Sequence, residues 1–204
     1  ESLGSAFEQF IRAHGLVPRR FVAEWWEDVT PLFSSMFLHG GWLHLLGNVL
    51  YLHIFADNVE DRLGHVRFLV FYLAAGAAAG VAQVLVEPSA SVPIVGASGA
   101  IAGVTGAYFL FYPRARVVTL IPIFLFVQVV EIPAFFFLLL WFGFQLLLGI
   151  GSIGMAVGGG IAFWAHIGGF VAGMVLGPAL TPHRPLQPSG DLAVRRTMVT
   201  ALRP

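Results

Sequence analysis

Five apolar runs, read as bilayer crossings, constrain this 204-residue chain more than any other feature. Val66 to Val86 and Val92 to Tyr112 approach the roughly 20 apolar residues that carry a helix across the hydrocarbon layer. Gly41 to about Phe55 is shorter in strictly apolar terms, and its His44, Asn48 and His53 must face protein rather than lipid. Ala134 to Ile150 is the fourth run, and Ile153 to about Leu180, rich in glycine, is the fifth. In lipid every backbone N–H and C=O needs an internal partner, so such runs fold as helices that pack on one another. Composition agrees, with 57% of residues hydrophobic and only 11% charged. The expected fold class is all-α, a polytopic transmembrane helix bundle over residues 41–180.

Three segments stand outside the runs. Residues 1–40 alternate charges with apolar patches, among them Phe7, Phe10, Leu16, Trp25 and Trp26. Tryptophan beside charge favours the headgroup layer, so this segment is expected to lie on the outer membrane surface, with Gly15 and Pro18 breaking any helix in it. Val117 to Val130 holds Pro122 and is followed by Glu131 and Pro133, which fits an interfacial or re-entrant segment better than a span. Residues 181–204, with Pro182, Pro185, Pro188 and four arginines, read as a disordered tail.

Arginine sets the orientation. All eleven basic residues are arginine, and there is no basic run, so a nucleic-acid partner is not expected. With five spans, one side receives Arg62, Arg67, Arg114, Arg116 and the arginines of the tail, whereas the other holds only Arg12, Arg19 and Arg20. The positive-inside rule then puts the C-terminus in the cytosol and residues 1–40 outside, and it leads to the expectation of a further span ahead of Glu1. The absence of cysteine excludes disulfide and thiolate chemistry.

The chemistry centres on Ser98, in Gly96-Ala97-Ser98-Gly99-Ala100-Ile101-Ala102-Gly103. A hydroxyl that attacks a carbonyl needs small neighbours, so that a second chain can approach and backbone N–H groups can face the oxyanion. Gly99 and Gly103 also form a G-x-x-x-G pair, whose role is equally well helix packing. Gly169 and Gly173 lie on the same helix face as His166, so two such faces can bring Ser98 and His166 within a hydrogen bond of each other. His44 and Asn48, four residues apart, share a face of the first run and can direct two donors to one point. Five spans put all four residues in the outer half of the bilayer, with His166 on the order of 10–20 Å below the outer end of its helix. Counting Val117 to Val130 as a sixth would separate His166 from Ser98. Asp57 lies too far along its helix to join them, so a dyad without an orienting carboxylate is expected.

These motifs resemble the rhomboid intramembrane serine proteases. The likeness rests on Gly96 to Gly103, on His39-Gly40-Gly41-Trp42-Leu43-His44-Leu45-Leu46-Gly47-Asn48, on Val59-Glu60-Asp61-Arg62-Leu63-Gly64, and on Ala165-His166-Ile167-Gly168-Gly169-Phe170-Val171-Ala172-Gly173, and it covers about residues 30–180. It implies that Ser98 is the nucleophile and His166 the general base, and that His44 and Asn48 complete an oxyanion hole with the Ser98 backbone N–H. It implies a rhomboid-like six-helix core of which five spans are present here, no cofactor, transmembrane proteins as substrates, and a cell inner membrane of bacterial type. Two departures stand out: Trp25-Trp26-Glu27 where some members have Trp-Arg, and Ala102 where some have an aromatic residue.

Other readings attach to the same residues. His44, His53 and His166 could instead bind haem or a metal in a non-enzymatic membrane protein, since intramembrane histidines are functional by default. An inactive family member that binds transmembrane clients is a third possibility. His39 and His53 read as structural, and Glu60 with Arg62 as an ordinary ion pair at the inner ends of the helices.

Overall fold

The computed structural model describes residues 3–124, 126–153 and 161–182. Three short helices open the chain: α1 (Leu3–His14), α2 (Pro18–Glu24) and α3 (Pro31–Ser34), the last running into a 3-10 turn at Ser35–Phe37. The breaks fall at Gly15 and Pro18, as expected, with Pro18 and Pro31 each in a first turn, where the missing N–H costs nothing. This segment does more than lie on a surface. Leu16 is buried and pairs with Ile94 in a two-residue antiparallel bridge, its N–H donating to the Ile94 carbonyl at 3.1 Å and its carbonyl accepting the Ile94 N–H at 2.8 Å. Met36 packs against Gly76, while Leu16 and Leu32 pack against Gly80. Gly76 and Gly80 therefore admit the N-terminal segment to the bundle. Phe7, Phe10, Trp25 and Trp26 stay exposed.

Five long helices follow: α4 (Trp42–Leu63), α5 (His65–Val86), α6 (Ser98–Phe111), α7 (Ala134–Ser152) and α8 (Phe163–Leu180). Three of them, α5, α7 and α8, are long and apolar enough to cross a membrane. The other two expected spans depart from that standard for different reasons. Helix α4 ends in Asp57, Glu60, Asp61 and Arg62, and α6 has only 14 residues. Helix α6 is short because it is the centre of the bundle: every residue from Ala100 to Tyr108 is buried, so protein rather than lipid surrounds it. The fifth run begins later than its hydropathy implies, at Phe163, and the part of that expectation falling on 154–160 lies outside the described residues. The expectation of a disordered tail likewise falls on 183–204, outside the described residues.

The helices alternate in direction. The N-terminal ends of α4, α6 and α8 gather at one end of the bundle, which we call the site end. At the other, the Tyr112 hydroxyl donates to the Asn58 carbonyl at 2.9 Å and the Arg62 guanidinium lies 4.3 Å from the centre of the Phe111 ring. The ion pair anticipated between Glu60 and Arg62 is absent there, because Glu60 instead bonds His65 at 2.6 Å. His53 is exposed on α4, not a core histidine.

The stretch after α6 adds a two-stranded hairpin to the helical bundle. Strands β1 (Arg116–Ile123) and β2 (Phe126–Pro133) form an antiparallel hairpin in which Val117 faces Ile132 and Ile123 faces Phe126. The segment is rich in β-branched residues, which fit a pleated strand better than a helix, and Pro122 would break a helix there. Its base is fastened to α7 by the Ala134 N–H donating to the Ala115 carbonyl at 2.7 Å. The hairpin starts and ends at the same end of the bundle, so it adds no crossing, as the five-run count requires.

Candidate functional site

Ser98 is the first residue of α6, and His166 lies in the first turn of α8. Their meeting depends on how closely α5, α6 and α8 approach. A Cβ on Gly99 would lie 2.7 Å from that of Ala79 on α5, and one on Gly169 would land on the Gly99 carbonyl oxygen. Gly103 faces Gly173 one turn further on. The two G-x-x-x-G faces thus pack against each other, and Ser98 Oγ stands 2.9 Å from His166 Nε2. His166 is three residues into α8, about 5 Å along the axis, so the 10–20 Å depth derived from the apolar run is too large.

Two further side chains converge on the loop before Ser98. Gly96 has φ +117°, in the region that favours glycine, and a Cβ there would lie 2.6 Å from His44 Nε2 and 3.5 Å from Asn48 Nδ2. Its N–H donates to the Ser35 carbonyl at 2.9 Å, which ties the N-terminal segment to this loop. The Gly40 N–H donates to His44 Nδ1 at 3.4 Å, leaving the ring proton on Nε2, the nitrogen beside Gly96. Asn48 is buried, and among the described residues its Nδ2 has no hydrogen-bond partner. A buried donor without a partner costs on the order of 1–3 kcal/mol, and His39 Nε2 and Trp164 Nε1 share that state, but Asn48 Nδ2 is the one that lies beside Gly96. His39 lies beside His44, ring centres 5.2 Å apart. Burial followed by the neighbouring His44 pushes the pKa of His39 below the usual histidine value.

The dyad, the loop at Gly96 and His44 border one cavity of about 600 Å³. Ser98, His166 and His44 line it, together with Met36 of the N-terminal segment and Gln83 of α5. It also holds a carboxylate, contrary to the expectation that none lies near. Glu87 Oε2 accepts from Gln83 Nε2 at 3.1 Å, while Gln83 Oε1 accepts the Ala165 N–H at 3.0 Å. Glu87 makes no hydrogen bond to His166, however, whose second ring nitrogen is taken by an amide. His166 Nδ1 lies 2.8 Å from Gln145 Oε1 on α7, and Trp141, one turn earlier, has its ring centre 6.0 Å from the imidazole. Sequence reasoning passed over both, although a lone glutamine within Ala134 to Ile150 is itself a signal. With Ala102 offering no ring, these two α7 side chains flank the histidine.

Comparison with known proteins gives the same direction. The family model described as Rhomboid domain matches residues 22–183. Among curated proteins, the chain is 41% identical over 85 residues to YdcA of Bacillus subtilis, covering 42% of this chain and 40% of that protein. It is 39% identical over 106 residues to Rhomboid protease GluP of the same organism, covering 51% and 20%. RHOMBOID-like protein 4 of Arabidopsis thaliana is 31% identical over 161 residues, covering 74% and 34%. The chain thus spans well under half the length of these relatives.

Proposed function

Because the chain belongs to the rhomboid family, we propose that it is an intramembrane serine endopeptidase that cleaves transmembrane segments of other proteins near the outer face of the bilayer. The observation that carries this reading is the 2.9 Å contact between Ser98 Oγ and His166 Nε2 at the wall of a cavity, with a buried Asn48 donor, unpartnered among the described residues, beside Gly96. His166 Nε2 takes the proton as Ser98 Oγ bonds to the scissile carbonyl carbon. The resulting oxyanion is met by His44 Nε2–H, Asn48 Nδ2–H and the Ser98 backbone N–H. The C–N bond then breaks, His166 gives its proton to the leaving amine, and water admitted through the cavity hydrolyses the acyl-enzyme. A substrate helix must unwind for its carbonyl to be attacked, so segments rich in glycine or other weak helix formers are favoured.

Fluorophosphonate labelling tests this directly: the wild-type protein is expected to label and Ser98→Ala is not. Equal labelling of the two would remove Ser98 as the activated serine. Asn48→Ala is expected to lower kcat by about 10²–10³, the usual cost of one oxyanion donor, while leaving folding intact. Single-turnover cleavage of a transmembrane substrate measures it.

The site end holds Arg12, Arg19 and Arg20, while Arg62, Arg67, Arg114 and Arg116 lie toward the opposite end. On the positive-inside rule the site end faces outward. Cysteines at positions 5 and 198 read this out in cells, since the native chain has none. An impermeant maleimide is expected to label position 5 and not position 198, and the reverse pattern would overturn the orientation. A metal-ion reading has no ligand set to rest on among the described residues, where no three metal-ligating side chains gather at one point.

A further inference from the structure

We propose that Gln145 is a positioning residue for the dyad, holding His166 in the one tautomer that can act as a base; this rests on the protease reading above. An imidazole that accepts the Ser98 proton at Nε2 must carry its own proton on Nδ1. The only group within hydrogen-bond distance of Nδ1 among the described residues is the side chain of Gln145, at 2.8 Å. An amide has two faces. With Oε1 toward the ring it accepts Nδ1–H and leaves Nε2 free to receive a proton. With Nε2 of the amide toward the ring it donates, which forces the histidine proton onto the nitrogen facing Ser98 and disables the base. Only the first arrangement agrees with the 2.9 Å contact to Ser98 Oγ acting as a proton path.

The choice of glutamine follows from the surroundings. Helix α7 is among the most apolar in the chain, and an ionised carboxylate placed there would carry a desolvation cost that a neutral amide avoids. A carbonyl oxygen fixes the tautomer without charge. It also lets α7, a helix with only Ala134, Leu138 and Gly149 buried, bond the histidine one turn beyond the Trp141 ring that packs near it. Glu87 makes no hydrogen bond to His166, and its Oε2 accepts from Gln83 instead.

The experiment combines ring tautomer with kinetics. Long-range nitrogen–proton correlation spectra of histidine-labelled protein distinguish the two neutral tautomers, and the His166 signals are identified by their loss in His166→Ala. The wild-type protein is expected to hold His166 as the Nδ1–H form, and Gln145→Leu as a mixture. Gln145→Leu should lower kcat about 10- to 100-fold, as for other groups that orient a working histidine, with KM within about twofold. Gln145→Glu keeps an acceptor at the same reach once its carboxyl is ionised, and is expected to restore the Nδ1–H form and most of kcat as pH is raised through that ionisation. A packing role alone would move neither tautomer nor the kcat-to-KM split. Wild-type protein that cleaves while holding His166 as Nε2–H, or Gln145→Leu that cleaves at the wild-type rate, overturns the inference. Should Gln145→Leu fail to fold, the tautomer of the wild type and of Gln145→Glu decides. A wild-type protein in the Nδ1–H form that cleaves no transmembrane substrate would instead sink the protease reading, and this role with it.

Discussion

Ser98→Ala and His166→Ala are each expected to bring cleavage of a transmembrane substrate down to background, a loss of about 10⁴-fold or more, with unchanged expression and thermal stability. One variant removes the nucleophile and the other removes the acceptor of its proton, and neither leaves a side chain able to take over. The groups act as a unit, so the double variant should cost no more than either single one. That non-additivity separates a dyad from two independently useful residues, which would give the product of their separate losses. Glu87 lines the same cavity, but its Oε2 accepts from Gln83 and it makes no hydrogen bond to Ser98. Purified variants assayed in the same lipid, with unfolding followed in parallel, make the measurement. Appreciable turnover by His166→Ala would redirect attention to Glu87. Undiminished turnover by Ser98→Ala would leave only a client-binding role or another nucleophile.

The four residues expected to work together were legible because each carries a local signature that survives without coordinates. Ser98 is framed by glycines at a spacing that only makes sense if something approaches closely, and His166 precedes a second set at the same spacing. What hydropathy conveys is contact with lipid, and where protein replaces lipid it misleads. Helix α6 illustrates this, since its 14 residues are too few to span by the length rule yet lie at the centre of the bundle. Helix α8 shows the converse: the apolar run suggested an early start, and with it a deeply placed histidine, whereas the helix begins three residues before His166. Short apolar runs do not reveal their period, so the hairpin at Arg116 to Pro133 was legible as a non-span but not as two strands. Gln145 and Glu87 were missed for a different reason. Their importance lies in which neighbour they meet, 21 residues away for the bond from Gln145 to His166, and nothing in the local sequence states that.

The second large effect is expected far from the chemistry, at Gly173→Val. Gly173 lies seven residues beyond His166, two helical turns or about 10 Å along α8, and touches none of the reacting groups. A Cβ there would land on the carbonyl oxygen of Gly103, with the carbonyl carbon at 2.5 Å and Cα at 2.7 Å. These are backbone atoms of the most buried helix in the bundle, so no side chain can swing aside, and the only relief is for α8 to move away from α6. The same interface is already at its limit on both sides, because a Cβ on Gly169 would meet the Gly99 carbonyl and one on Gly106 the Phe170 carbonyl. Overfilling a packed interior typically costs about 1–3 kcal/mol, and an obstruction made of backbone belongs at or above the top of that range. A separation of only about 1 Å at the dyad would take the 2.9 Å contact between Ser98 and His166 beyond hydrogen-bond reach. Gly173→Val is therefore expected to lower the unfolding temperature markedly and to abolish cleavage in whatever fraction remains folded. Gly143→Ala on α7 is the control, since a Cβ there meets nothing within 4 Å. Wild-type stability and turnover in Gly173→Val would mean that α6 and α8 do not approach as closely as their glycines allow, and the meeting of Ser98 with His166 would then need another cause.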